Sequence, residues 1–161
     1  VGTDVEVMQY EEGLSGSRFA AHVLEISKKQ ARVEYKVLYE DESEQTLLCE
    51  WVRTDQLTPT PPPTPEGFLQ HLTPGDKLEV LHEDGWWDVD FVGSKRTGNG
   101  QVEYWVKSVT YGVDRFVPAE CLRPRWKRWG SKWRTPAVER PKMDEAAEDD
   151  IAVDVDVDAD L

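Results

Sequence analysis

A chain of 161 residues has room for one ordinary domain or two small ones, and with 39% hydrophobic and 32% charged residues it suits a globular protein with a modest core. No apolar run approaches the roughly 20 residues of a membrane-spanning helix, which argues against a membrane partner, and the opening Val1-Gly2 without a signal-peptide pattern reads as a fragment excised from something longer. Cys49 and Cys121 make no disulfide framework, and His22, His71 and His82 stand singly without zinc-ligand spacing, so a reducing compartment and no metal or other cofactor are expected.

The net charge of −13 is segregated: residues 1–122 carry −11, residues 123–142 carry +7 and residues 143–161 carry −9. An acidic body steers cationic partners inward and repels phosphate backbones. Acidity also serves solubility alone, and on charge by itself that reading stands ahead.

In chain order, Val5 and Val7 flank Glu6, then Phe19, Ala21 and Val23 alternate with Ala20, His22 and Leu24, and Val33, Tyr35 and Val37 alternate with Glu34, Lys36 and Leu38. Such period-two patterns predict strands with one face inward, and Leu47 to Val52 supplies a fourth. Glu12-Gly13 with Gly16-Ser17, Ser27 to Gln30 and Glu40 to Ser43 are the turns between them. The proline run from Pro59 to Pro65 cannot continue a sheet and predicts an extended spacer. A short helix should follow, with Thr64 as N-cap, Pro65 in the first turn, and Phe68, Leu69 and Leu72 on its apolar face.

The order then repeats. Leu78-Glu79-Val80 matches Val5-Glu6-Val7; Trp87, Val89 and Phe91 match Phe19, Ala21 and Val23; Val102-Glu103-Tyr104 matches Val33-Glu34-Tyr35; Phe116-Val117 matches Trp51-Val52, and Leu122 matches Leu57. Two copies of one unit, each of four or five short strands in about 55 residues, predict two small all-β barrels. Beyond Pro124, tryptophan interleaves with Arg and Lys over residues 125–134, and from Met143 the chain turns acidic. The alternating Val-Asp run at 153–158 could be a strand, but its aspartates would repel along an unpaired edge, so disorder is expected.

Asp4-Val5-Glu6-Val7, the Glu12-Gly13 loop and the run from Gly16-Ser17-Arg18-Phe19 to Leu24 resemble the opening of an Agenet domain, the plant branch of the tudor-like Royal superfamily. Gly75-Asp76-Lys77-Leu78-Glu79-Val80 with Asp84-Gly85-Trp86-Trp87 is similar to the second half of such a tandem, and Leu122-Arg123-Pro124-Arg125-Trp126 resembles its close. The likeness covers about residues 3–126. It implies two tandem tudor-like (SH3-like) barrels at 1–58 and 74–126, joined by a Pro-rich linker with a short helix at 59–73 and followed by a Trp/basic strip and acidic tail at 127–161. It further implies a nuclear, non-enzymatic chromatin reader of a histone H3 tail carrying methylated lysine. In the family, the lysine cage takes an aromatic at the start of the second strand and others from the third strand and nearby loops. Trp86 and Tyr104 match those positions in the second half; in the first half the strand-start position is Arg18, leaving Tyr10, Tyr35 and Tyr39 for a partial cage.

A methylated ammonium keeps its charge and loses hydration, so aromatic faces beside carboxylates suit it. Tyr10 precedes Glu11 and Glu12, and Tyr39 precedes Glu40, Asp41, Glu42 and Glu44, which makes Tyr10, Tyr39, Asp41, Glu42 and the loop residue Tyr111 candidate ligands. Tyr35 and Tyr104 share the inward faces of their strands, where a core role stands ahead of a cage role. Trp87 and Trp51 read as core, Trp86 is balanced between packing and caging, and the acidic run at 40–44 could equally be a solvated hairpin tip.

No nucleophile–base set, phosphate loop or small-molecule site is suggested, and Gly98-Asn99-Gly100 reads as a hairpin turn. The basic, Trp-rich residues 123–134 could bind nucleic acid weakly through stacking and phosphate attraction, or dock on the acidic barrels or the acidic tail. Peptide reading ranks first, the intramolecular role second and nucleic acid third.

Overall fold

The computed structural model describes residues 1–135 and Asp154–Asp156; the rest of the acidic tail, for which disorder is expected, lies outside the described residues. The chain divides into two compact units, residues 1–60 with 81–87 and residues 61–80 with 88 onward.

In the first unit β1 (Asp4–Met8), β2 (Arg18–Ser27), β3 (Gln30–Tyr39) and β4 (Leu47–Arg53) form an antiparallel meander. A single-turn 3-10 helix at Thr54–Gln56 then reverses the chain into β5 (Leu57–Pro59), which returns to pair with β1. Alternation explains the core: Phe19, Ala21 and Val23 of β2 meet Val33 and Tyr35 of β3, closed by Val5, Val7 and Val52. A β-bulge between Val23 and Glu25 shifts the pairing so that Ile26 lies opposite the buried Ala31, yet Ile26, near the end of the strand, is exposed.

The second set of strands has the same order: β6 (Lys77–His82), β7 (Gly85–Arg96), β8 (Val102–Ser108), β9 (Val113–Pro118), a 3-10 turn at Ala119–Cys121, and β10 (Leu122–Pro124) returning to β6. Residues 81–87, where β6 turns into β7, group with the first unit; there the ring of Phe19 lies 2.6 Å from where a Cβ on Gly85 would sit, which leaves room for glycine alone. The bulge recurs between Phe91 and Gly93, at the place matching Val23 and Glu25. Gly100, with φ of 87°, closes the turn between β7 and β8. The linker helix is one 3-10 turn at Phe68–His71, and its cap is Gly67 in the left-handed region rather than Thr64. The Phe68 amide closes a turn on the Pro65 carbonyl at 3.1 Å with Gly67 at φ of 80°, and this left-handed residue starts the helical turn two residues after Pro65.

The strand register corrects one part of the internal alignment. Ala31 pairs with Val52, and Tyr104 pairs with Val117, the equivalent of Val52. Tyr104 therefore stands where Ala31 stands, four residues from the match with Tyr35. A shift by an even number preserves every inward residue, so alternation alone cannot detect it.

Past β10, a ribbon of β11 (Lys127–Trp129) and β12 (Lys132–Arg134) is joined by β13 (Asp154–Asp156) along the free edge of β12. The repulsion that argues against a strand at 153–158 holds for an unpaired edge; here the facing strand is basic.

Candidate functional site

The loop that follows β1 is closed on itself. The Gly16 amide donates to the Gln9 carbonyl at 2.9 Å, the Gln9 amide to the Ser17 carbonyl at 2.9 Å, and the Ser17 hydroxyl to the Leu14 carbonyl at 2.5 Å. This presents Tyr10 to solvent, 53% exposed, at the rim of a pocket of about 340 Å³. Trp51, 44% exposed, lines the same pocket, as do Glu11, Glu50 and Arg53. Val52 turns inward, so its neighbours Trp51 and Arg53 turn outward. Gln56, in the turn after β4, donates to the Met8 carbonyl at 2.9 Å and ties that turn to the end of β1.

Glu50 is held from below. Tyr35 is sealed in the core, yet its hydroxyl donates to Oε2 of the pocket residue Glu50 at 2.5 Å, while Nε2 of the pocket residue Gln9 donates to the same hydroxyl at 3.1 Å. Burial first, and then the bond to Glu50, push the Tyr35 phenol well above its ordinary value of 10.0. It therefore stays a donor at any physiological pH.

A group with a raised folded-state pKa contributes stability that is complete below its unfolded value and lost as pH climbs through the folded value. Tyr35→Phe should cost about 1–3 kcal/mol at neutral pH by orphaning Gln9 and Glu50. It should also make the alkaline loss of stability above pH about 10 shallower. Urea unfolding at neutral and alkaline pH checks both; equal alkaline loss in the variant would show that Tyr35 is not the group responsible.

The pocket already contains a cation. The Arg53 guanidinium lies over the Tyr10 ring, 5.2 Å from its centroid, and its Nε meets Asp55 Oδ1 at 3.0 Å. Both members of that ion pair are exposed, so the pair holds Arg53 only weakly.

Of the residues singled out from the sequence, Tyr10 and the core residue Tyr35 take part here, one as wall and one as support. Tyr39, Asp41 and Glu42 are exposed around the β3–β4 turn and do not line this pocket. The Asp41 carboxylate accepts from the Ser43 hydroxyl and amide, which hold it below the usual carboxylate range, so it works as a turn-former. Trp86 is half-buried, and its backbone pairs with Arg18 inside the first unit. Tyr104 is buried against Phe91, with ring centroids 6.4 Å apart. Tyr111 borders a polar pocket of the second unit whose carboxylates, Asp88 and Asp90, already face Arg125 and Lys77. Trp51, read as core from the sequence, is instead a pocket wall, whereas Trp87 is core as expected.

The second copy carries different residues at the equivalent positions. Register places Arg115 opposite Val106 as Glu50 lies opposite Val33, so a guanidinium replaces the carboxylate. The long loop bearing Tyr10 is replaced by a tight turn at Glu83 and Asp84, both with positive φ. The basic strip is largely structural. Arg123 pairs with Glu79 at 2.7 Å, Arg125 donates to the carbonyls of Val89 and Leu78, and Trp126 and Trp133 are buried. Among the described residues no three His, Cys, Asp or Glu side chains converge to hold a metal ion.

Residues 2–62 match the family model of the Agenet domain. Over 87 residues the chain is 39% identical to Protein AGENET DOMAIN (AGD)-CONTAINING P1 of Arabidopsis thaliana, covering 53% of this chain and 16% of that protein. Over 144 residues it is 28% identical to DUF724 domain-containing protein 6 of Arabidopsis thaliana, covering 86% and 19%. The chain thus spans less than a fifth of either relative. Among solved structures it resembles Arabidopsis thaliana AGDP1 AGD34, with a TM-score of 0.72 and 27% identity over 84% of this chain and 88% of that one. It also resembles ADCP1 tandem Agenet domain 3-4, with a TM-score of 0.68 and 24% identity over 84% and 86%. Agenet domains are protein- or peptide-interaction modules of the tudor-like kind, and the matched domain contains the whole Tyr10–Trp51 pocket. Residues 2–62 thus match the Agenet domain, and the chain shares its fold with solved tandem Agenet domains.

Proposed function

We propose that the chain is a nuclear chromatin reader that binds a basic histone tail, the H3 tail in the first instance, and takes a methylated lysine between Tyr10 and Trp51. The observation that carries this reading is the guanidinium of Arg53 lying on the Tyr10 ring in a pocket that also contains Glu11 and Glu50. A site that holds the chain's own cation against an aromatic face, with carboxylates beside it, suits a cation from outside. Methylammonium competes well there because it is less hydrated than a bare lysine and can lose its shell to the rings. The weak hold of Asp55 on Arg53 lets the guanidinium swing away as the ligand enters. The acidic body supplies long-range attraction, so affinity should fall as salt is raised past a Debye length of about 8–10 Å. Binding is the whole of the function proposed; no catalysis or small-molecule turnover enters it.

Calorimetric titration of the chain with H3-tail peptides, unmodified and mono-, di- and trimethylated, tests this. Methylated peptides should bind several-fold more tightly, by the ~0.5–2 kcal/mol of an aromatic–cation contact. Equal affinity across the series would remove the cage and leave only an acidic surface. Nucleic-acid binding through residues 123–134 is less favoured, because Trp126 and Trp133 are buried and Arg123 and Arg125 are engaged inside the second unit.

A further inference from the structure

We propose that the basic ribbon β11–β12 is a strand-addition site for an acidic, alternating segment, and that its resident ligand is the chain's own tail at Asp154–Asp156. The register sets Asp156 opposite Lys132, Val155 opposite Trp133 and Asp154 opposite Arg134. Opposite charges therefore stand at both polar positions, and the one apolar residue of the added strand stands at the tryptophan. Opposed charges at directly paired positions stabilise an antiparallel pair, and like charges there destabilise it.

The ribbon is built to receive such a strand. Trp133 is buried, with the Arg128 guanidinium 5.5 Å from its ring centroid, and β11 covers only one edge of β12. The other edge would present unpaired backbone donors and acceptors, which is the feature that recruits an extended peptide. Charge segregation points the same way, since the +7 of residues 123–142 is followed directly by the −9 of residues 143–161. Because the tail belongs to the same chain as the ribbon, its pairing is intramolecular. Alternation over residues 153–158 adds a further property: a slip by two residues again presents aspartates to Lys132 and Arg134 and a valine to Trp133. The site thus reads pattern and charge rather than one fixed triplet.

Charge reversal in the full-length chain tests the site. Asp154→Lys with Asp156→Lys and Asp158→Lys should lower amide exchange protection at residues 132–134 by about tenfold or more, while amides of Val33 and Val106 in the barrels keep theirs. Adding Lys132→Glu and Arg134→Glu to that variant should restore protection. A peptide of residues 150–161 should bind the reversed-tail chain and protect the same amides, more weakly as salt increases. Unchanged protection on reversal, or loss that the compensating swap does not recover, would overturn the proposal. Failure of the peptide to bind the vacated ribbon would do so as well. None of these readouts involves the Tyr10–Trp51 pocket, so they stand apart from the peptide titration.

Discussion

Arg123→Met is expected to cost about 3–5 kcal/mol of folding stability, the largest effect of any single change considered for this chain. Glu79 and Arg123 face each other in register between β6 and β10 at 2.7 Å, with side chains only 3% and 11% exposed. Methionine retains most of the apolar stem, so the loss comes from a carboxylate left in the core without its main counter-charge. Exposed pairs such as Arg32–Glu25 and Lys77–Asp90 should by contrast contribute about 0–1 kcal/mol each. The double change Arg123→Met with Glu79→Leu should recover much of the stability, since an apolar pair of similar volume removes the stranded charge. Urea midpoints of the unsubstituted chain, the Arg123→Met variant and the double variant decide the matter; a single-variant loss below about 1 kcal/mol would mean that other donors satisfy Glu79.

Trp51→Ala should reduce affinity for a methylated tail peptide about tenfold or more, corresponding to roughly 1–2 kcal/mol of lost ring contact and desolvation. The fold should survive, because Trp51 points outward while Val52 packs the core from the same strand. Trp51→Phe should keep a good part of the binding. Trp105→Ala makes a control: that ring packs on Phe116 with centroids 5.8 Å apart, donates to Asp114 and does not line the pocket. Should the Trp105 change weaken binding while the Trp51 change is silent, the site lies elsewhere. Calorimetry with thermal denaturation separates loss of binding from loss of fold.

The strands were legible because each has an unambiguous inward set, as in Phe19, Ala21 and Val23, and because the same order recurs with Trp87, Val89 and Phe91. Trp51 was not legible as a pocket wall. Leu47, Leu48, Trp51 and Val52 come as adjacent apolar pairs, and a pair does not say which member faces in; only closure of the barrel puts Val52 there. The role of Tyr35 was half legible. Its inward position follows from alternation, but that its buried hydroxyl props Glu50 depends on strand twist and on Gln9, which lie beyond period-two reasoning. Asp41 and Glu42 carry the charge that suits a cationic ligand, and an Asp two residues before a Ser is equally suited to making a turn, as Asp41 does here.

Duplication gave this chain two copies of one framework, and the residues at the mouth no longer agree. Where one copy offers Glu50, the other holds Arg115, and where one extends a tyrosine on a long loop the other turns back in two residues. The copies are consequently not interchangeable spare parts. On the proposed reading, a cationic tail meeting both would find carboxylates at one and a like charge at the other, so doubling the module would not double its valency.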